Sequence, residues 1–281
     1  MEYYLKSGNL EVTISSLGAE MVSVKYDGKE RLWQNDNNTW SGHAPVLFPI
    51  AGKIKVKIDG ITYPLLQHGF ARRREFEFVS IENNQITFKL SSDDETLKLF
   101  PYRFNLYISY TLSDSLIEMR YKVENTDDKD IYYSLGTHTS FSLDDTIDNY
   151  YVELSKDKEL WNNINDKDPS LTGEFIKLSD NGILDLSTEY IDNAKTIIFK
   201  NLKSKTATLI HKSGKKIAEI EYEGFPYILF WHPLDSKMVC MEPWHNILDT
   251  KGDEREFKDK DNIIKLKPHE SKELTQRIRY Y

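Results

Sequence analysis

The sequence predicts an all-β protein built as a large antiparallel β-sandwich or a closed barrel. Three observations predict this class. Apolar residues recur at every second position along most of the 281 residues, turn-forming residues separate these runs, and no window carries a convincing apolar stripe at helical spacing. Because successive strands joined by short turns pair antiparallel, the pattern favours a sandwich or barrel over a fold with helical crossovers.

The first predicted strands lie before residue 70. Leu10, Val12 and Ile14 alternate with polar residues and predict one strand. Two further alternating runs, residues 54–58 and 61–65, flank the dipeptide Asp59-Gly60. A type I′ turn needs positive φ at both of its central positions, which Asp-Gly tolerates, so these two runs are predicted to form a hairpin.

The longest alternating run predicts a meander in the middle of the chain. Residues 102–112 alternate, break at the polar residues 113–115, and resume over residues 117–123. A further strand begins at Ile131 and runs toward Gly136-Thr137-His138, and residues 274–280 close the chain with the same period. The central and terminal segments are therefore all predicted to be half-buried strands.

Two segments depart from this pattern. The polar stretch of residues 155–174 is predicted to be a loop excursion or an edge hairpin, because strand patterning resumes on both sides of it. The segment around Asp185 to Tyr190 is expected to hold a short helical turn. Neither segment resembles a linker, so residues 1–281 are predicted to form a single domain.

Composition and charge exclude several classes of protein. The chain is 39% hydrophobic and 29% charged, as in a globular protein. A formal charge of −8 argues against nucleic acid as a partner, because phosphate-backbone binding needs clustered Lys and Arg. No window approaches the roughly 20 apolar residues of a membrane span, and the first residues lack a signal-peptide pattern, so a cytoplasmic protein without a membrane partner is expected. Cys240 alone forms no internal disulfide and is predicted to be a small buried hydrophobe.

Four polar residues occur where predicted strands end: His68, His138, Asp192 and Glu242. Side chains at strand ends converge on clefts, so each is a candidate site residue. Purely structural roles are also open. His68 could serve merely to hydrogen-bond the neighbouring backbone, and Asp192 could serve merely to cap a turn. Glu242 is the strongest catalytic candidate because its run, SKMVCMEPWHN, is too apolar for a solvated carboxylate.

The residue types near these positions favour acid-base chemistry. The sequence has no His-x-His pair, no HExxH and one cysteine, which disfavours a metal site. It also lacks a GxSxG elbow and a glycine-rich phosphate loop. Two histidines with a carboxylate remain, a set suited to proton transfer near neutral pH. Pro243 is expected to end the pairing of its strand and to hold Glu242 at the rim of a cleft.

Six motifs, in this order, give the chain a resemblance to a known family: APVLFPIAGKI, QHGFARRREF, GTHTSF, IDNAKTIIFKNLKSKTATLI, EGFPYILFW and CMEPWHNILD. The chain resembles the aldose 1-epimerases, or galactose mutarotases, most closely their short bacterial LacX-like branch. The resemblance implies a large β-sandwich with an open cleft that binds a pyranose and interconverts its α and β anomers. It implies no cofactor and no metal, and a sugar as the small-molecule partner of a monomer or homodimer.

The resemblance also implies roles for the four candidates. Glu242 matches the family's base, which takes the proton from the C1 hydroxyl. His138 matches the acid that protonates the ring oxygen. His68 is expected to hold the sugar, and Asp192 to accept hydrogen bonds from sugar hydroxyls. Since the ordinary pKa values of Glu and His side chains are about 4.3 and 6.5, modest tuning is needed to keep the Glu ionised and the His protonated together.

Further contacts are expected around the sugar. Trp231 is the first choice for an aromatic platform, and Phe70 the second, although Trp231 could equally belong to the core. Arg72 and Lys53 are expected to bind substrate. Relatives of this branch usually carry arginine at the position of Lys53, and lysine does not reproduce the planar guanidinium fork.

Three alternatives stay open at this stage. The basic run Arg72, Arg73 and Arg74 would favour a sugar phosphate if it faced the cleft, and would be ordinary surface charge if it faced solvent. The protein could bind carbohydrate without catalysis. A glycosidase would need two carboxylates about 5 to 10 Å apart, for which Glu242 and Asp192 are the candidates.

Overall fold

The computed structural model of the chain describes residues 1–166, 169–187 and 196–281. Strands account for 52% of the structure, so the all-β prediction is confirmed. Strand pairings are antiparallel throughout the named ladders. Within the described residues no helix is long and apolar enough to cross a membrane.

Strands β1 to β25 are numbered in chain order. The largest sheet has nine strands, in the order β18 (Ile183–Asp185), β15 (Tyr150–Glu153), β20 (Thr206–His211), β21 (Lys216–Glu221), β25 (Ser271–Tyr280), β11 (Leu116–Asn125), β10 (Phe104–Ser113), β9 (Gln85–Ser91) and β8 (Glu77–Glu82). A six-stranded sheet runs β19 (Ile197–Lys200), β22 (Tyr227–Trp231), β23 (Met238–Trp244), β13 (Gly136–Thr137) and β5 (Val46–Leu47), with β14 (Thr139–Ser142) also paired to β23.

Smaller sheets complete the sandwich. Four strands near the start pair in sequence order: β1 (Glu2–Ser7), β2 (Leu10–Ser15), β3 (Glu20–Tyr26) and β4 (Lys29–Glu30). Three two-stranded sheets join β6 (Val56–Ile58) to β7 (Ile61–Tyr63), β12 (Ile131–Tyr133) to β24 (Ile264–Leu266), and β16 (Leu160–Asn165) to β17 (Leu171–Ser179). Short 3₁₀ turns occupy Ala71–Arg73, Ile147–Asn149 and Phe257–Asp259.

The predicted turns and hairpins are present. Asp59 and Gly60 have φ of +50° and +79°, as the predicted turn between β6 and β7 requires. The β10–β11 meander pairs from Phe104 with Asn125 to Ser113 with Leu116. The polar excursion forms the β16–β17 hairpin. The helical turn expected around residue 185 starts in strand β18, and its residues from 188 onward lie outside the described residues.

One helix, α1 (Asp94–Leu99), was not predicted from the sequence. Its start is fixed by a capping box in which the Asp93 carboxylate accepts the Thr96 backbone N–H at 2.6 Å. The Thr96 hydroxyl accepts the Asp93 N–H at 2.8 Å in return. Six residues are too few to show helical periodicity, so only this capping pattern could have revealed the helix.

The main core lies between the sheets and includes residues from Leu5 to Tyr280. Strand β10 alternates buried and partly buried side chains, as a half-covered sheet face requires. Every residue of β23 is buried, so this strand is covered on both faces. A single domain over residues 1–281 stays a prediction, which this shared core favours.

Aromatic rings fill the part of the core beneath the 3₁₀ turn at Ala71–Arg73. The Phe48 and Phe104 rings lie 4.9 Å apart, and Phe70 stacks on Phe104 at 6.1 Å. Phe70 is therefore a core residue and the interpretation of it as a second sugar platform is wrong. The tight turn after His68 directs the Phe70 side chain into the core, and the sequence pattern did not reveal this direction.

Phe104→Ala is expected to lower the free energy of unfolding by about 3 to 5 kcal/mol, because truncating a fully buried ring loses its transfer energy and leaves a cavity. Phe78→Ala provides the matched control, since that ring is 37% exposed on the edge strand β8. Urea unfolding monitored by circular dichroism measures both. Equal losses for the two variants would contradict the assignment of Phe104 to the central core.

Candidate functional site

A cleft of about 750 Å³ opens over the six-stranded sheet. Five of the residues selected from the sequence line it, together with further polar and apolar side chains. In chain order the lining consists of Trp40, Gln67, His68, Arg72, His138, Asn165, Asp166, Pro169, Thr196, Leu229, Trp231, Leu234, Glu242, Trp244 and Leu248.

The register of β23 places Glu242 and His138 face to face. Gly136 pairs with Trp244 and Thr139 with Met241, so the interruption between these two pairs lies where His138 faces Glu242. The backbone N–H of His138 donates instead to the Pro45 carbonyl at 3.1 Å. The interruption thus leaves room for the two side chains, whose His138 Nε2 and Glu242 Oε2 atoms lie 3.3 Å apart.

Pro243 does not end the pairing of this strand, contrary to the expectation from sequence. Strand β23 continues to Trp244, and Pro243 pairs opposite Ile228 of β22. Only the ladder toward β13 and β14 is interrupted. Glu242 consequently lies at the floor of the cleft with 1% of its surface exposed, not at the rim.

Burial sets the protonation of the His138–Glu242 pair. Desolvation raises the pKa of Glu242 well above its usual range, although a hydrogen bond from Trp244 opposes this shift. Desolvation and the charge of Arg72 lower the pKa of His138 to about 3. Both directions favour the neutral forms, a protonated Glu242 carboxyl beside a neutral His138 imidazole. The ionised pair expected from the sequence is disfavoured because both groups are removed from water.

His68 is held as a neutral donor beside this pair. The Gly52 N–H donates to its Nδ1 at 3.1 Å, which leaves the proton of the neutral ring on Nε2, where the Gln67 side-chain amide lies at 3.2 Å. Burial lowers the pKa of His68 well below its ordinary value, and the nearby charge of Arg72 acts in the same direction. Its ring meets His138 edge-on at 5.6 Å and Trp244 at 5.3 Å.

The turn at His68 and Gly69 creates this placement. His68 and Gly69 have φ of +67° each. A Cβ on Gly69 would lie 2.3 Å from the Phe48 carbonyl oxygen, so the backbones approach too closely for any other residue. The glycine in the motif QHGFARR is therefore required for the orientation of His68.

The basic run divides between the cleft and the surface. Arg72 lines the cleft with the partly buried carboxylate of Glu20 near it, while burial lowers the pKa of its guanidinium. Arg73 is exposed and donates to the Gly69 carbonyl at 3.3 Å. Arg74 forms an ion pair with Asp93 at 3.6 Å. Arg72 is the only lysine or arginine among the described lining residues.

The remaining residues that the sequence predicts to contact the sugar are Trp231, Lys53 and Asp192. Trp231 lines the cleft and is half-buried at the end of β22. Lys53 is exposed and is absent from the described lining, so its contact with substrate stays a prediction. Asp192 lies outside the described residues, and its role also stays a prediction.

Sequence reasoning missed several lining residues, above all Trp40. This tryptophan stacks on His138 with ring centroids 4.8 Å apart. The signal was a large aromatic residue inside a polar segment, QNDNNTWSG, where no core strand accounts for it. Asn165 and Asp166 come from the β16–β17 hairpin, which the sequence identified without any indication that it reaches the cleft.

One group of possible metal ligands occurs among the described residues. Donor atoms of His138, Cys240 and Glu242 all lie within 4.8 Å of one another. Burial and the nearby Glu242 raise the pKa of the Cys240 thiol well above its usual range, which keeps it protonated and a poor ligand. Cys240 is fully buried, as predicted from its alternating pattern.

Known proteins resemble this chain over nearly its whole length. A curated relative, the plasmid-encoded protein LacX of Lactococcus lactis subsp. lactis, is 27% identical and the match covers 95% of each chain. A solved structure described as a galactose mutarotase related enzyme, from Lactobacillus acidophilus, is 28% identical with a TM-score of 0.93, covering 100% of this chain and 97% of the other. A galactose mutarotase-like protein from Lactobacillus casei is 26% identical with a TM-score of 0.94 and full coverage of both chains.

The shared fold and a family model together show the family of this chain. The two solved structures share the all-β sandwich described above over the full length of this chain. The family model described as Aldose 1-epimerase matches residues 1–279, which includes every element that contributes to the cleft. The chain therefore belongs to the aldose 1-epimerase family.

Proposed function

We propose that this protein is a mutarotase that interconverts the α and β anomers of a free hexose such as galactose or glucose. The observation that carries the proposal is the His138–Glu242 pair, 3.3 Å apart at the floor of a cleft with tryptophan in its walls. An acid and a base side by side suit a reaction in which one proton leaves O1 while another reaches O5.

The proposed step balances within the sugar and the two side chains. The Glu242 carboxylate accepts the proton of the O1 hydroxyl as the C1–O5 bond breaks and C1 becomes an aldehyde. His138 in its imidazolium form gives a proton to O5. Rotation about the C1–C2 bond presents the other face of the aldehyde, and the same transfers in reverse close the ring.

The neutral His138–Glu242 pair fits this cycle. The ionised pair that starts ring opening and the neutral pair that follows it hold the same number of protons. A transfer from Glu242 Oε2 to His138 Nε2 across their contact converts one into the other. The pKa directions of the two groups favour the state that accompanies the open-chain sugar.

Neighbouring side chains are suited to hold the sugar. His68, whose Nε2 lies 3.2 Å from the Gln67 amide, and the charged Arg72 both line the cleft and are suited to hydrogen-bond sugar oxygens. Trp231 offers an apolar face for the pyranose C–H groups. Asp192 and Lys53 remain proposed contacts from the resemblance. A cytoplasmic location and a monomeric or homodimeric state also stay predictions.

The alternatives are weighed by the charges in the cleft. A sugar phosphate would be expected to meet several cations, whereas Arg72 is the only lysine or arginine in the described lining. A glycosidase needs two cooperating carboxylates, whereas the direct partner of Glu242 is a histidine. A protein that only binds carbohydrate would not need an acid paired with a base. Free-sugar mutarotation is therefore the function that the cleft supports best.

Polarimetry tests the proposal. Freshly dissolved α-galactose and α-glucose are expected to reach their equilibrium rotation faster with the protein than in matched buffer. The 6-phosphates of both sugars, assayed in parallel, are expected to respond less because one arginine neutralises only part of a phosphate charge. Unchanged relaxation of every sugar, with binding still detected by calorimetry, would identify a non-catalytic binding protein. Release of reducing sugar from aryl glycosides would indicate hydrolysis instead.

A further inference from the structure

Trp40 covers one face of the His138 ring. The indole and imidazole centroids lie 4.8 Å apart with an interplanar angle of 22°, which is a stacked arrangement. Trp231 meets both rings edge-on, at 5.7 Å from Trp40 and 5.8 Å from His138. The indoles of Trp40 and Trp231 thus restrict rotation of the His138 imidazole, whose Nε2 faces Glu242.

The segment that carries Trp40 is anchored to the core. The indole N–H of Trp33, a fully buried residue of the cluster with Met238 and Cys240, donates to the Trp40 carbonyl at 2.9 Å. His43 Nδ1 bonds to the Trp33 carbonyl at 2.7 Å on the other side of the segment. The backbone at Trp40 is therefore fixed relative to strand β23, which carries Glu242.

Gly42 makes room for the indole. A Cβ on this residue would lie 2.4 Å from Cζ2 and 2.7 Å from Cη2 of Trp40. Gly42 does not have the positive φ that would require glycine for the backbone. The absence of a side chain at residue 42 is therefore needed by the ring of Trp40 in its stacked position.

The groups around His138 differ in their effect on its imidazolium form: some disfavour it, and others favour it. Arg72 carries a like charge, and His68 is held neutral. Glu242 favours the imidazolium while it is ionised, but it loses its charge when it accepts the O1 proton. An indole face attracts a cation through its quadrupole and does not titrate near neutral pH, so its attraction for the imidazolium does not depend on the protonation of Glu242.

We propose that Trp40 is a positioning residue, whose stacked indole orients His138 toward Glu242 and stabilises the imidazolium that protonates the ring oxygen. This inference rests on the proposed mutarotase function. Loss of a desolvated cation–π contact that stabilises the transition state is expected to lower the rate about tenfold or more. The structure thus gives Trp40 a part in the acid step that differs from packing against the sugar.

Steady-state kinetics of four variants test this role. Trp40→Leu and Gly42→Ala are expected to lower kcat about tenfold, the first by removing the π face and the second by displacing it. Trp40→Phe keeps an aromatic face and is expected to recover most of kcat. KM should change less than about threefold in all three if orientation of the acid, and not sugar binding, is lost. Trp161→Leu, on a tryptophan that is 48% exposed and outside the described lining, is the matched control and should match the wild type.

Nuclear magnetic resonance provides a readout that does not depend on activity. With labelled histidine, the His138 ring protons, assigned among the seven histidines by their loss in His138→Asn, are expected to be shifted upfield by the indole ring current. The shift should vanish in Trp40→Leu and Gly42→Ala and persist in Trp161→Leu. An inactive wild type with this shift present would refute the proposed function but leave the stacking intact.

Three results would overturn the inference. The first is the absence of an upfield shift in the wild type. The second is a rise in KM at unchanged kcat in the Trp40 variants, which would make Trp40 a sugar platform. The third is a Trp40→Phe variant as slow as Trp40→Leu with the ring-current shift retained, since the aromatic face would then contribute nothing to the acid step. Circular dichroism and thermal unfolding confirm that each variant is folded.

Discussion

Glu242→Gln is expected to remove the proposed mutarotase activity, lowering kcat by about 10²- to 10⁴-fold. The amide has nearly the shape of the carboxylate but accepts no proton at neutral pH, so O1 loses its base. The side chain keeps its place on β23 opposite His138, because the strand is buried on both faces. Loss of activity without loss of structure is therefore the expected result.

Polarimetry on galactose and glucose measures this change, and circular dichroism checks the fold. Glu273→Gln is the matched control, an exposed glutamate on β25 that lies outside the described cleft lining and should retain full activity. A Glu242→Gln protein that still accelerates anomerisation as the wild type does would exclude Glu242 as the base. Sugar binding by the inactive variant, followed by calorimetry, would show that the cleft itself is intact.

His138→Asn is expected to cause a loss of similar size, about 10²- to 10⁴-fold in kcat, because asparagine donates a hydrogen bond but transfers no proton. The ring oxygen then leaves as an unprotonated alkoxide, the less favourable path. The same polarimetric assay measures the effect. An Asn variant with wild-type kcat would assign the acid role to another group, of which His68 is the nearest candidate.

The two variants are also expected to change the pH dependence of stability in opposite directions. In Glu242→Gln only His138 titrates. Its folded pKa of about 3 lies below the ordinary 6.5, so the unfolded chain binds the extra proton and stability falls as the pH decreases from 6.5 toward 3. In His138→Asn only Glu242 titrates. Its folded pKa lies above the ordinary 4.5, so stability falls as the pH rises above 4.5.

In the wild type these contributions cancel between pH 4.5 and 6.5. The folded pair holds one proton on Glu242 and the unfolded pair one on His138, so the pair adds no slope in this range. Each single variant should show a slope of up to about 1.4 kcal/mol per pH unit relative to the wild type. Urea unfolding at about pH 5 and about pH 6.5 measures it. Equal slopes in all three proteins would contradict a folded state in which Glu242 is protonated and His138 is neutral.

Much of the fold could be read from local patterns. Alternation over residues 102–123 predicts β10 and β11 because the side-chain period of a strand is a local property. Asp59-Gly60 predicts its hairpin because the turn depends on two residues. The helix at Asp94–Leu99 was missed because a capping box, and no periodicity, defines it.

The site was predictable only in part. Glu242 stood out because a carboxylate in an apolar run needs a partner or a use. Nothing local indicated that Arg72 faces inward while Arg73 and Arg74 do not, since a 3₁₀ turn sends successive side chains in different directions. Trp40 could not be connected to His138, because the two residues are joined only through the packing of Trp33 and Gly42.

Local patterns and motifs were sufficient to predict the strands, the turns, the family and the residue types of the acid and the base. The tertiary structure decided which of these residues meet. Strand pairing joins positions about a hundred residues apart, and a local pattern contains no record of that register. The register of β13 and β14 against β23 sets His138 opposite Glu242, and the burial of both side chains favours their neutral forms.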